Sequence, residues 1–180
     1  MRLQFLVHLI ESVQALARPR RIVVIGSSSL LPLHSNLGET SPPLEISLDA
    51  DLLIDPVDQQ IADMLKDAIG EDSGFMQANG YYADILKPTI SEALPSGRES
   101  RLKKVDGFKN VFALDLYDLA LVKLMVGRPK DVALLIAPLE RGIIEPAKLR
   151  ERYTAVPLGE RELIAAGRNP TAILRKTGLE

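Results

Sequence analysis

The chain of 180 residues contains no cysteine and no tryptophan. Without cysteine there is no disulfide framework, no thiolate zinc site and no cysteine nucleophile. Histidine is scarce, with two residues, so a histidine-rich metal site is excluded and any bound metal must rest mainly on carboxylates. Charge of neither sign dominates. The 22 Lys+Arg stand against 24 Asp+Glu, a net charge of −2, which excludes a polycation built to coat nucleic acid. Long apolar runs are missing too, and every stretch falls short of the ~20 residues that cross a bilayer. The expectation is a soluble cytoplasmic protein with no leader and no membrane anchor.

What is present is enough apolar material for a core. Hydrophobic residues make up 46% of the chain, so global disorder is excluded, and the length suits one domain with a helical extension. Leu3, Leu6, Val7, Ile10, Val13 and Leu16 recur at helical spacing, which predicts an amphipathic helix to Ala17. Pro19 stops it. Ile22-Val-Val-Ile25 reads as a buried strand that ends at Gly26-Ser27-Ser28-Ser29, with a short helix beginning around Leu30. A second strand is predicted over Leu44–Ile54 and a helix over Val57–Ile69, before the turn Gly70–Gly74. Tyr81–Leu86, Arg101–Val105 and Val111–Leu114 read as further strands. Helices are expected from Asp115, over Lys130–Arg141 and from Pro146, with the last twenty residues a weak helix or loose tail. Strands alternating with helices, then a helical third, predict a mixed α/β (α+β) fold: a core over 1–114 and a helical extension over 115–180.

The most informative constellation is Gly26-Ser27 at a strand end followed by Asp49-x-Asp51 on the next strand. Side chains alternate along a strand, so Asp49 and Asp51 share one face. Two carboxylates so close repel one another and are costly to bury, unless a divalent cation lies between them. Mg²⁺ suits the site, because it takes one or two protein carboxylates and fills its shell with water and substrate phosphates. Gly26 lets the backbone approach a phosphate closely, and Ser27 offers it a hydroxyl and an N–H. The bland reading is a solvated face of an edge strand.

These residues, Gly26-Ser27-x-x-Leu30 with Ser47-x-Asp49-x-Asp51, resemble the signature of the nucleotidyltransferase superfamily of the DNA polymerase β type. Further segments resemble a poorly characterised bacterial branch related to the toxins of abortive-infection toxin–antitoxin systems. They are Ile69-Gly-Glu-Asp-Ser-Gly-Phe75, Gly80-Tyr-Tyr-Ala83, Leu94-Pro-x-Gly97 with Arg101-Leu102, and Asp118-Leu-Ala-x-x-Lys123-Leu-x-x-Gly-Arg128-x-Lys130-Asp131. The resemblance implies a small mixed sheet flanked by helices, with a helical C-terminal part. It implies that Gly26 and Ser27 hold nucleotide phosphates and that Asp49 and Asp51 ligate Mg²⁺, with two ions possible. A third carboxylate on a neighbouring strand often completes such a site, and Asp84 is its candidate; the alternative for Asp84 is an outward-facing strand end. The branch often has His after the Phe, where this chain has Met76. The implied activity is Mg²⁺-dependent transfer of an NMP group from an NTP to an acceptor hydroxyl on RNA, a protein or a small molecule, with an antitoxin as a possible partner. The competing expectation is a catalytically inactive nucleotide-binding or protein-interaction module on the same fold.

Lys123 lies in an otherwise apolar helix segment, and the resemblance favours a role on the triphosphate, with Lys130 and Asp131 as a second polar cluster. The alternatives are a snorkelling Lys123 paired with Asp115 or Asp118, and helix-capping roles for Lys130 and Asp131. Arg98, Arg101, Lys103 and Lys104 form a basic run able to steer a polynucleotide, or simply a solvated strand face with no aromatic between them for stacking. Tyr81 and Tyr82 point to opposite faces, so at least one is expected in the core while the other is free to stack on a base. His8 and His34 show no partner at ligand spacing.

Overall fold

A computed structural model describes residues 1–155 of the chain. It divides into two compact units, the first made of Met1–Ser91 with Leu102–Leu114, the second of Glu92–Arg101 with the chain from Asp115 onward. The expected weak helix or tail over the last twenty residues lies outside the described residues. Among the described residues no helix is long and apolar enough to cross a membrane.

The first unit is a five-stranded mixed sheet flanked by helices. Helix α1 (Leu3–Ala17) follows the expected stripe and buries Leu6, Leu9, Ile10 and Val13. Strand β1 (Arg21–Val24) leads into a 3₁₀ turn at Ser27–Leu30, followed by the single-turn helices α2 (Leu37–Thr40) and α3 (Pro42–Glu45). Strand β2 (Asp49–Asp55) then enters the sheet. The predicted second strand therefore starts five residues late. Leu44 is fully buried as part of the α3 turn, and its apolar character marks a core contact, not extended chain.

Helix α4 (Gln59–Ile69) is capped by the Asp58 carboxylate, which accepts from the Ile61 N–H at 2.8 Å. Ser73 caps the short α5 (Gly74–Asn79) in the same way, a helix the turn-like sequence did not reveal. Strand β3 (Tyr82–Ile85) follows. Strand β4 is two residues long (Lys103–Lys104), far shorter than expected, and β5 covers Val111–Ala113. The sheet order is β3-β2-β1-β5-β4. Pairing is parallel for β2–β3 and β1–β5 and antiparallel for β1–β2 and β4–β5.

One face of this sheet is apolar. Ala50, Leu52 and Ile54 of β2 are buried there, level with Ala83 of β3, Ile22 and Val24 of β1, and Val111 and Ala113 of β5. Helix α1 packs against α4, and α4 against β3. As expected of one member of the tyrosine pair, Tyr81 belongs to the core. Its ring stacks on Phe5 at 4.4 Å and meets Phe75 edge-on at 5.7 Å, and its hydroxyl lies 2.8 Å from His8 Nδ1. That cluster ties α1, α5 and the entry to β3 together.

The second unit is helical where described. Helix α6 (Leu116–Val126) is apolar on nearly all sides and packs on α7 (Pro129–Glu140) and α8 (Pro146–Ala155). Gly127 ends α6 with φ +64°, a left-handed cap that glycine adopts without steric cost, and Pro129 opens α7.

Candidate functional site

The polar face of the sheet carries the acidic residues singled out above. Asp49 and Asp51 alternate with the buried Ala50 and Leu52, so both carboxylates leave the core side of β2. The parallel register sets Asp49 beside Tyr82 and Asp51 beside Asp84. Register partners share a face, so the expected third carboxylate lies on the same side as the first two.

Gly26 explains how Asp51 is accommodated. The Ile25 N–H donates to the Asp51 carbonyl at 2.9 Å and brings the end of β1 against β2. Gly26 then takes φ +62° and ψ −164°, a region closed to other residues. A Cβ at Gly26 would lie 1.7 Å from Asp51 Oδ2. The Asp51 carboxylate thus occupies the space that a side chain at 26 would fill. The motif glycine has a direct job, which is to seat this carboxylate against the turn.

The serines after Gly26 divide into two kinds. Ser29 Oγ donates to the Gly26 carbonyl at 2.8 Å and Ser28 Oγ to the Ile25 carbonyl at 3.4 Å, both being buried. Those two hold the turn's shape. Ser27 stays partly exposed at the mouth of the turn, beside Gly26. Ser47 Oγ donates to Asp49 Oδ1 at 2.9 Å and fixes that carboxylate's orientation.

The electrostatics follow from crowding of like charge. Burial, then the Asp49 carboxylate, push the Asp84 pKa above the ordinary carboxylate range, and Lys66 offsets part of this. The Tyr82 phenol is raised by burial and by Asp49, Glu71, Asp84 and Asp51. Removing solvent and adding negative neighbours both disfavour another anion.

The donor set is all oxygen and anionic, which fits a hard divalent cation. Asp49 and Asp51 on one face, one seated by Gly26 and one oriented by Ser47, are the residues that would hold it. Among the described residues no three His, Cys, Asp or Glu side chains gather tightly enough to enclose a metal by themselves. The fit is therefore to an open site of two carboxylates completed by water and phosphate oxygens, with Asp84 adjacent on β3.

The remaining predicted residues lie in the second unit, held by ion pairs. Lys123 Nζ is 3.1 Å from Asp131 Oδ1, and Arg128 Nε donates to Asp131 Oδ2 at 2.6 Å. Burial works to raise the Asp131 pKa, but the Arg128 hydrogen bond and the Lys123 charge overcome it and hold the carboxyl below its usual range. The partner of Lys123 is thus Asp131, not Asp115 or Asp118. Lys130 is exposed in the first turn of α7.

Asp118, fully buried, accepts from Arg101 Nε at 2.9 Å and Nη2 at 3.1 Å, and from Arg152 Nη1 at 2.7 Å. Arg152 also reaches Asp115, which caps α6 by accepting from the Tyr117 and Asp118 N–H groups. The expected basic run is broken by this, since Arg101 is bound in the second unit while Lys103 and Lys104 belong to the sheet. Arg152 went unrecognised in the sequence, where it is one of two arginines in a polar helix.

A family model described as "Nucleotidyltransferase of unknown function (DUF6036)" matches residues 1–160. No curated protein and no solved structure matches the chain.

Proposed function

Because the chain belongs to the nucleotidyltransferase family DUF6036, we propose that it transfers an NMP group from an NTP to an acceptor hydroxyl with the help of Mg²⁺. The observation that carries this reading is the seat of Asp51. Its carboxylate fills the position of an absent Cβ at Gly26, on the strand face that also presents Asp49 and Asp84.

In this reading Asp49 and Asp51 hold one or two Mg²⁺ ions. When bound, the cation supplies charge neutralisation for the phosphates and a more acidic acceptor hydroxyl. Gly26 and Ser27 receive the triphosphate, the backbone through its close approach and Ser27 through its hydroxyl. Asp84 adds negative potential beside Asp51. In the reaction the acceptor oxygen bonds the α-phosphorus, the α–β bridge breaks, pyrophosphate leaves, and the acceptor's proton passes to solvent. Phosphoryl chemistry of this kind is mostly positioning and charge stabilisation, which the strand face and turn are built to provide. A toxin role with a small antitoxin partner belongs to the same proposal and rests on the motif resemblance.

The test incubates the protein with each labelled NTP, Mg²⁺ and bulk RNA or protein. A Mg²⁺-dependent labelled product supports transfer and identifies the acceptor class. Mg²⁺-dependent NTP binding without any product favours the non-catalytic module. No binding of any NTP by calorimetry overturns transfer and nucleotide binding alike and leaves a protein-interaction module.

A further inference from the structure

The polar face of the sheet continues beyond the carboxylates. Leu53 stands opposite Val23, Val23 beside Phe112, and Phe112 opposite Lys104. Arg21, two residues before Val23, shares this face, and its guanidinium lies 5.3 Å from the centroid of the Phe112 ring. One surface of the first unit is therefore acidic at its β3–β2 end and cationic and aromatic at its β1–β5–β4 end. Phe112 is partly exposed and Lys104 is exposed. With neighbouring strands ~4.8 Å apart and ~3.3 Å per residue along them, Phe112 stands about 12 Å from Asp51. A few nucleotides cover that distance.

We infer that this face binds a single-stranded polynucleotide, which serves as the acceptor. Its phosphates contact Arg21 and Lys104, a base stacks at Phe112, and its terminal hydroxyl lies at the Asp49–Asp51 end. A cation, an aromatic ring and a second cation in sequence across a sheet are the elements of a single-strand platform. The linear sequence hid this arrangement, because Arg21, Phe112 and Lys104 come from three separate strands. Asp55, opposite Arg21 and 3.5 Å from the guanidinium of Arg20, lies at the exposed rim and narrows the cationic strip. The strip also accounts for local attraction to nucleic acid in a chain whose net charge is −2. The acceptor role rests on the nucleotidyl-transfer reading; binding to the face does not.

The experiment measures fluorescence anisotropy of a labelled short oligouridylate and of its deoxy counterpart with the full chain. It is run in EDTA without NTP, over a salt series. Both strands are expected to bind, more tightly at low salt. Arg21→Gln with Lys104→Gln should weaken binding about tenfold and flatten the log–log salt slope by about 1.4, at ~0.7 per phosphate contact for single strands. Phe112→Leu should weaken binding severalfold and leave the slope unchanged.

Failure of both oligonucleotides to bind at low salt overturns the inference, as does wild-type binding by the Arg21→Gln, Lys104→Gln variant. If no oligonucleotide binds while label still passes from NTP to protein or a small molecule, the inference falls and nucleotidyl transfer stands. If oligonucleotides bind but no NTP gives a product, transfer falls and the docking face stands.

Discussion

The two units each gather aspartates, and they treat them in opposite ways. Among the described residues of the second unit each buried carboxylate meets a cation. Asp118 is gripped by Arg101 and Arg152, and Asp131 by Lys123 and Arg128. In the first unit carboxylate meets carboxylate. Asp51 faces Asp84 across the β2–β3 ladder, Asp49 is one pleat away, and Asp84 titrates above the ordinary range. Ion-paired buried aspartates complete a packed structure, whereas like charges gathered on one strand face disfavour one another's ionised form. That difference is what the proposed metal-holding role of Asp49 and Asp51 predicts.

The strongest break in the comparison is Asp51→Asn. If Asp49 and Asp51 hold the metal as proposed, losing one of the pair should lower labelled-product formation on the order of 10²–10³-fold. The melting temperature should fall far less than the rate, because Asn keeps the size of the side chain seated against Gly26. A transfer rate within a few-fold of wild type would remove Asp51 from the site. In the second unit the expectation reverses. Asp118→Ala takes from Arg101 its carboxylate and from Arg152 one of two, and should cost about 3 kcal/mol by urea denaturation, below the top of the range for buried pairs because Arg152 keeps Asp115 and both guanidiniums keep some solvent. A variant as stable as wild type would mean that the clamp is incidental.

Much of this contrast was legible before folding, and the part that was not has a physical cause. The β-branched run Ile22–Ile25, the glycine after it and the alternation across Asp49, Ala50 and Asp51 are local signals, and each was placed correctly on its element. The partners of the charged residues were not local. Lys123 finds Asp131 across the turn at Gly127, which depends on the packing of α6 against α7. Arg101 is drawn to Asp118 seventeen positions on, which shortens the strand that its neighbours Lys103 and Lys104 form to two residues. The start of β2 was misplaced because Leu44 and Ile46 alternate with polar residues as a strand would. In the structure Leu44 is core and Ile46 is 77% exposed, the pattern of a tight turn before the strand.

Gly26→Ala tests the seat itself. The added methyl group would meet the Asp51 carboxylate at 1.7 Å, in a backbone region that is nearly glycine-only. The strain should cost about 1–3 kcal/mol of stability. Product formation should fall further than that loss alone explains, because the carboxylate must move. Thermal melts and rates measured on the folded fraction separate the two effects. A variant with wild-type rate would show that Asp51 tolerates displacement.

The smallest effect is the most telling about sign. Asp84 has its folded pKa raised by burial and by Asp49, so the folded state favours the protonated acid. Its relative stabilisation is complete below the unfolded value and is lost as pH rises through the raised folded value. At neutral pH the ionised Asp84 therefore works against folding. Asp84→Asn should raise stability there by up to about 0.5 kcal/mol, the usual scale for an exposed position. The gain should vanish near pH 3. Asp131→Asn should do the reverse, because a depressed pKa stabilises the fold above the unfolded value and loses that contribution as pH falls through the folded one. Urea titrations of both variants across pH 3–7 would show two lines of opposite slope against wild type. If Asp84→Asn instead lost stability at pH 7, its carboxylate would belong with the paired acids of the second unit and the distinction between the clusters would fail.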